Sequence, residues 1–384
     1  MKKFILAITA TATLTALPAA TRAEPALAVK IGGDAAFEGG YVTQDRHADQ
    51  RASEFRNRFR LNVIPAAKAD NGLEYGARLR LLAENGDRSV STDRAFLYLR
   101  GSFGELDFGS LNGPSDDVAV VAPADWGTSG HDGSISAYLG PTGAFAPVTV
   151  VNPRTLYSAD VGTRVSYSSP RFSGFQVNAT YQPVLGNAQN SVERRKSAPS
   201  DGFRAGGYSD LYEVGMNYAG MIGEVTLAAS AYYQGGQARP ASGAAAVGFD
   251  NLSSYHLGLK ASYRGLAIGG SYGSAGDSGY ARPSGNPPGN PVVRGREAQT
   301  ILTVGAQYTF GQTTVGGSFM RAEDAGDLAV AGANRFDLYS VGARYVVTPG
   351  LWVGPEYNRF RYKSDVASRS DQGNVVFLRT ELSF

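Results

Sequence analysis

The sequence has no cysteine in 384 residues, only three histidines and two tryptophans, and few charges, at 18% Asp, Glu, Lys and Arg. Without cysteine there is neither a disulfide framework nor a thiolate metal site. His47, His131 and His256 are scattered without metal-binding spacing. The formal net charge of +2 lacks the strong basic excess of a nucleic-acid binder, so no nucleic acid is expected as a partner. No segment after residue 17 has the roughly 18 consecutive apolar residues of a transmembrane helix.

The amino terminus is a different kind of segment. Lys2 and Lys3 precede an apolar stretch from Phe4 to Leu17, followed by Pro18 and small residues to Ala23. This reads as an export signal peptide over residues 1–23, cleaved after Ala23 or, by the Ala26-Leu27-Ala28 triplet, after Ala28. Removing it takes Lys2, Lys3 and Arg22 from 36 basic residues and nothing from 34 acids, leaving a mature net charge of -1. Residues 24–384 read as one domain.

Glycine and aromatic residues are plentiful instead: 49 Gly, 21 Tyr and 18 Phe. Their arrangement has period two, in segments of about ten residues. Val376, Leu378, Thr380, Leu382 and Phe384 share one face, against Val375, Arg379, Glu381 and Ser383. Tyr255, Leu257, Leu259 and Tyr263 likewise oppose Ser254, His256, Lys260 and Arg264. A face this charged cannot be packed dry, because an unpaired buried cation is costly. The polar faces are expected to line water and the apolar faces, with aromatics at segment ends, to meet lipid.

Connections alternate in length. Seven short ones, at 70–72, 101–104, 169–174, 219–223, 264–265, 310–312 and 348–350, carry tight-turn residues. Eight longer ones lie near 42–53, 85–90, 110–160, 185–209, 235–250, 276–298, 324–334 and 365–373. Fifteen connections imply sixteen strands. An even count with short turns on one rim and long loops on the other is the pattern of an all-β, antiparallel transmembrane β-barrel, wide enough at sixteen strands for an aqueous channel.

The chain resembles the general bacterial porins, most closely those of purple photosynthetic and related bacteria. The strings that carry the resemblance run from Arg94-Ala95-Phe96-Leu97-Tyr98-Leu99 through Gly101-Ser102-Phe103-Gly104 to Phe108-Gly109-Ser110. Arg164-Val165-Ser166-Tyr167-Ser168-Ser169-Pro170, Phe172-Ser173-Gly174-Phe175 and the terminal Phe384 complete them. The strings are short, but the layout agrees over the whole mature chain. The resemblance implies a homotrimer in the Gram-negative outer membrane and passive diffusion of small hydrophilic solutes. It implies a third loop, residues 110–160, folded inward as a constriction, and Phe384 as the signal read by the barrel-assembly machinery.

The charges suggest where such a pore narrows. By alternation Arg56, Arg58, Arg60, Arg78, Arg80, Arg94 and Arg164 point into water. The long loop carries Asp116, Asp117, Asp125, Asp132 and Asp160 against Arg154 alone. With the loop inside, these carboxylates, Asp116, Asp117, Asp125 and Asp132 foremost, would face the arginines across the opening, in a focused field. The plain alternative is that the arginines only solvate the wall and the aspartates only keep a loop soluble. No cofactor is expected. Oxygen donors in the loop would suit calcium, yet no EF-hand-like spacing supports it.

Arg359, Arg361 and Lys363 share a parity near the outer rim of the fifteenth strand, suited to anion entry, to lipopolysaccharide or to loop acids, or simply to a solvated rim. Small residues such as Ala36, Ala77 and Ala95 are expected on the outer face, where a trimer would pack. The glycine- and proline-rich loops after 185, 235 and 276 are expected to be mobile.

Three other readings stand beside this one. A substrate-specific channel would use Arg56, Arg58 and Arg60 as an anion ladder. A soluble exported β-protein would need a sealed apolar core. An outer-membrane hydrolase would need a wall-mounted Ser and His on the lipid side, whereas His256 has the opposite parity. Gly276-Asp277-Ser278-Gly279 and Gly269-Gly270-Ser271-Tyr272-Gly273 match hydrolase strings, but neither sits on the strand-turn-helix such a nucleophile requires. The expectation is therefore no enzyme.

Overall fold

The computed structural model describes residues 27–46, 50–83, 88–127, 135–139, 161–200, 203–242, 248–282, 296–326, 332–365 and 369–384. The signal-peptide reading of 1–23 lies outside them, as do Asp132, Arg154 and Asp160. Sixteen strands follow in order: β1 Ala28–Gln44, β2 Ser53–Lys68, β3 Glu74–Ala83, β4 Ser91–Gly101, β5 Gly104–Leu111, β6 Gly162–Ser168, β7 Phe175–Val184 and β8 Tyr208–Ile222. The second half holds β9 Val225–Ala238, β10 Leu252–Tyr263, β11 Leu266–Gly276, β12 Gln299–Phe310, β13 Thr313–Asp324, β14 Asn334–Thr348, β15 Leu351–Lys363 and β16 Asp371–Ser383.

Each strand pairs antiparallel with its sequence neighbours, and β1 also pairs with β16, so the sheet closes. Closure leaves no unpaired sheet edge, which lipid would not tolerate. The seam is locked at the short-turn rim, where Phe384 N donates to Gly33 O and Gly33 N donates to Phe384 O, at 3.0 and 2.8 Å. All seven short turns fall where the sequence places them. Each closes through a glycine in the left-handed region, as at Gly72 (φ 85°) and Gly265 (φ 87°).

Side-chain alternation puts apolar residues outside. Phe55, Leu97, Leu257, Leu259, Val304 and Leu378 are all exposed on the outer surface. Aromatic pairs ring that surface at two levels. Tyr212–Tyr233, Tyr255–Tyr272 and Phe319–Tyr339 lie toward the long-loop rim; Phe175–Tyr218 and Tyr308–Phe310 lie toward the short-turn rim. Two girdles around an apolar band are the outer surface of a membrane barrel, where amphipathic rings settle at the lipid-water boundaries.

Strict polar-in, apolar-out alternation fails in three places. Ala36 faces inward and is buried, so of the three alanines expected outside only Ala77 and Ala95 lie there. The inner wall of β12–β16 is apolar toward the long-loop rim: Ile301, Met320, Phe336, Phe360, Tyr362 and Phe377 form a dry cluster. It is dry because Ile135, Tyr138 and Leu139 of the third loop cover it. On β15 the parity is therefore reversed, with Phe360 and Tyr362 inside and Arg359, Arg361 and Lys363 outside.

The loops expected to be mobile are tied together in their described parts. Bridges join Ala198 to Ala241, Arg204 to Tyr280 and Phe249 to Ala281. Arg204 and Arg296 both stack on the fully buried Tyr280 ring, 5.1 and 4.9 Å from its centroid.

Candidate functional site

The third loop leaves β5 and turns inward. Pro114 at the start of the short helix α1, Pro114–Val118, has no N–H to satisfy and a φ suited to a first turn. Ser115 is completely buried against the inner faces of β8 and β9. Its N–H donates to Glu213 Oε1 at 2.6 Å and its hydroxyl to Glu213 Oε2 at 2.9 Å. Gln234 Nε2 donates to the same carboxylate at 2.7 Å. A buried carboxylate is tolerated only when its oxygens are met in this way.

Past α1 the loop follows the wall from strand to strand. Val120 N donates to Ser230 Oγ at 2.8 Å, Ala122 N to Thr303 Oγ1 at 3.2 Å, and Asp125 N to Gln307 Oε1 at 2.9 Å. Gln307 Nε2 returns a bond to Asp125 Oδ2 at 2.8 Å. Glycine makes room for the backbone: a Cβ on Gly258 would lie 1.9 Å from Val120 O. Trp126 is fully buried over Gly316 and Gly342, where a Cβ would meet its ring at 2.2 and 2.8 Å. Beyond residues 128–134 the loop meets β16 and β1, with Tyr138 stacked on Phe377 at 5.9 Å and seated over Gly40.

Residues 112–127 and 135–139 thus line the inside of the barrel against β8–β16. Asp117 and Val118 are exposed toward the remaining space, as is Asp125. Across that space stand β1–β4, where the expected arginines come together. Arg58 meets Asp34 at 3.0 Å and Glu381 at 3.3 Å, and Arg60 meets Asp34 at 2.8 Å. Arg379 joins Glu381 at 2.6 Å and Glu38 at 3.3 Å, with Arg56 4.0 Å from Glu38. Arg80 holds Asp93, and Arg78 donates to Asn62 Oδ1 at 2.9 Å.

This differs from an arginine wall answered from across the lumen. The carboxylates that balance Arg56, Arg58, Arg60 and Arg80 stand on the wall itself. A loop acid reaches an arginine at Arg94, 3.5 Å from Asp117 and also bonded to Asn112. Asp116 accepts from Asn112, and Asp125 sits on the far wall with Gln307. Arg164 is buried behind α1, near Glu213, rather than in the open space. Asp132 lies outside the described residues. Although its side chain opens on the remaining space, partial desolvation inside the barrel raises the Asp117 carboxyl above its ordinary value; Arg94 opposes the shift and Asp116 adds to it.

Asp34, Glu38, Asp93, Arg379 and Glu381 were missed as site residues. Inward parity marks Glu38 and Asp34 on β1 and Arg379 and Glu381 on β16, so alternation alone could have found those four. Asp93 is the extra residue of a β-bulge in β4, where Arg80 pairs Arg94 but Leu81 pairs Thr92. The bulge turns its carboxylate onto Arg80, and no sequence pattern announces it. Among the described residues no group of three or more His, Asp or Glu side chains is placed to hold a metal ion.

A family model described as Gram-negative porin matches residues 9–365. An uncharacterised protein of Rickettsia conorii is 22% identical, over 93% of this chain and 92% of its own. Among solved structures, the anion-selective porin from Comamonas acidovorans is similar at a TM-score of 0.61 and 14% identity, covering 94% of this chain and all of that one. The in-vitro folded trimer form of Vibrio cholerae OmpT has a TM-score of 0.58 at 14% identity, covering 94% of this chain and 100% of its own. A mutant of Rh. blastica porin has a TM-score of 0.57 at 15%, covering 93% and 100%. At such identities the likeness concerns the fold.

Proposed function

Since the chain belongs to the Gram-negative porin family and is an outer-membrane β-barrel channel, we propose that small hydrophilic solutes and ions diffuse through it passively, past a constriction between α1 and the arginines of β2–β4. One observation carries this reading. The third loop is bonded to the wall of β8–β12 by Glu213, Ser230, Thr303 and Gln307, which leaves the charged wall of β1–β4 as the free side.

The charge of that side is partly compensated, with Arg56, Arg58, Arg60, Arg78, Arg80, Arg94 and Arg379 against Asp34, Glu38, Asp93, Glu381 and Asp117, which favours a general pore over a steeply selective one. Arg56, Arg58, Arg60 and Arg80 each have a carboxylate within 4.0 Å, some of them shared, so their field is partly offset at the distance of a passing ion. Planar-bilayer recording tests this. Ohmic current without saturation supports the general pore, whereas saturation by one anion favours the anion ladder.

The working unit in this reading is a homotrimer, as in the Vibrio cholerae trimer form. Its interface is the outer groove of about 400 Å³ floored by Ala77 and Ala95 and walled by Pro65, Leu79, Leu97 and Phe108. Phe384, exposed beside the seam and 5.9 Å from Phe59, is proposed as the mark read by the barrel-assembly machinery.

A further inference from the structure

Below the third loop, toward the short-turn rim, the inner wall that seats it carries two half-buried cations, Lys260 on β10 and Arg344 on β14. Lys260 follows Gly258, the residue beneath Val120, by two positions on the same face. In its cross-strand row stand Ala219, Ala228, Gly269 and Gly305. None has a side chain larger than a methyl, and a Cβ on Gly269 would lie 3.0 Å from Lys260 Cβ, so the lysine stem rises alone from a low floor. Arg344 likewise follows Gly342, the residue beneath Trp126, and has Gly354 beside it on β15. Its guanidinium lies 4.9 Å from the centroid of the Trp352 ring, which Arg379 also approaches at 6.0 Å.

The acids of this wall are engaged elsewhere. Glu356 is buried and accepts from Asn358 Nδ2 at 3.1 Å, Asp125 accepts from Gln307, and Glu381 is held by Arg379 and Arg58. Among the described residues neither Lys260 nor Arg344 has a carboxylate within ion-pair distance, and Arg344 Nε has no hydrogen-bond partner. Arg171, reaching in from the turn between β6 and β7, donates to Gly174 O, Gln176 Oε1 and Asn217 Oδ1, all neutral. Across the lumen the pattern is reversed, since Arg56, Arg58, Arg60 and Arg80 stand beside carboxylates.

We infer that Lys260 and Arg344 are specificity-determining residues of this pore, holding small anions weakly on the short-turn side of the constriction and so tilting conduction toward anions. The inference deepens the diffusion reading above and rests on it. An unpaired charge keeps its field at the distance of a passing ion, whereas a paired one loses part of it. Arg344 is fixed by its stack on Trp352 before an anion arrives, so little side-chain freedom is lost on contact. Lys260 meets no neighbour that would hold its ammonium against the wall. The two stand four strands apart, roughly 19 Å along the wall at about 4.8 Å per strand, so each meets its own anion.

Single-channel reversal potentials of the full mature protein test this in a potassium chloride gradient from about 0.01 M to about 0.1 M, across which the screening length falls from about 30 to about 10 Å. Wild type is expected to favour chloride, and to do so more strongly when the dilute solution bathes one rim than the other, because the two cations lie off-centre and are unscreened only from their own side. Lys260→Gln with Arg344→Gln should lower the chloride-to-potassium permeability ratio roughly twofold or more and abolish that asymmetry. Lys260→Arg with Arg344→Lys, which keeps both charges, should behave as wild type. So should Arg264→Gln, which removes a short-turn cation already paired with Glu224 at 3.2 Å. A wild-type potential that favours potassium or is unchanged on reversing the gradient would overturn the inference. So would an unchanged ratio in the double glutamine variant, or an equal loss in the charge-preserving variant or in Arg264→Gln. The wild-type arm does not depend on a variant's folding, and the current of the same channels in symmetric salt tests the diffusion reading, so the two readings fail separately.

Discussion

Among the described residues Asp117 is the loop carboxylate that both touches the arginine wall and faces open space, and its ionisation sets the local sign. Partial desolvation inside the barrel raises its pKa, against the pull of Arg94 and with the push of Asp116. It therefore takes up a proton at higher pH than a free aspartate. The cation share of the current should fall as pH drops through this raised value and recover above it. Asp117→Asn should remove that step from a reversal-potential titration; an identical titration in the variant contradicts the assignment. Folding favours the neutral form, so the group stabilises the barrel most at low pH, and that gain is lost as pH rises through the raised pKa. At this scale the sequence was informative where parity decides. Arg56, Arg58, Arg60, Arg78, Arg80 and Arg94 were all correctly turned inward. It was silent where partners are remote: Arg58 and Glu381 are 323 residues apart and meet through the β1–β16 seam.

Elements depend on one another in the seating of the third loop. Its backbone N–H groups find four side-chain acceptors on three strands, β8, β9 and β12, and glycines clear the track. Gly258→Val would drive a side chain into Val120 O. Such overpacking costs about 1–3 kcal/mol and should lift this stretch of loop from the wall. The expected readout is a lower melting temperature together with altered conductance and faster proteolysis within 112–127; unchanged values in all three would contradict the seating. The sixteen strands and every tight turn were legible because alternation and turn residues are local signals. The seat was not, because the acceptors Glu213, Ser230, Thr303 and Gln307 look like ordinary inward residues until the loop arrives. The outward turn of Arg359, Arg361 and Lys363 was hidden for a related reason. With the loop covering their neighbours, Phe360 and Tyr362 are buried inside, and the cations face outward.

For the whole molecule, closure and association are distinct steps. Deleting Phe384 removes the two backbone bonds to Gly33 and the proposed assembly mark, and should sharply lower the yield of heat-modifiable barrel in the outer membrane. Ala77→Trp with Ala95→Trp should fill the outer groove and convert a trimer band to monomer on a gel while each barrel stays closed; a persisting trimer would move the interface elsewhere.

The absence of cysteine allows the most direct test of the whole account. Single cysteines at positions 58, 94, 230 and 303 can be exposed to a bulky, membrane-impermeant thiol reagent during planar-bilayer recording. Conductance should drop in steps at positions 58 and 94, which border the free side, and stay constant at 230 and 303, which lie beneath the loop. Block at 230 and 303 with none at 58 and 94 would mean that solutes pass on the other side of the loop, and the account would be wrong.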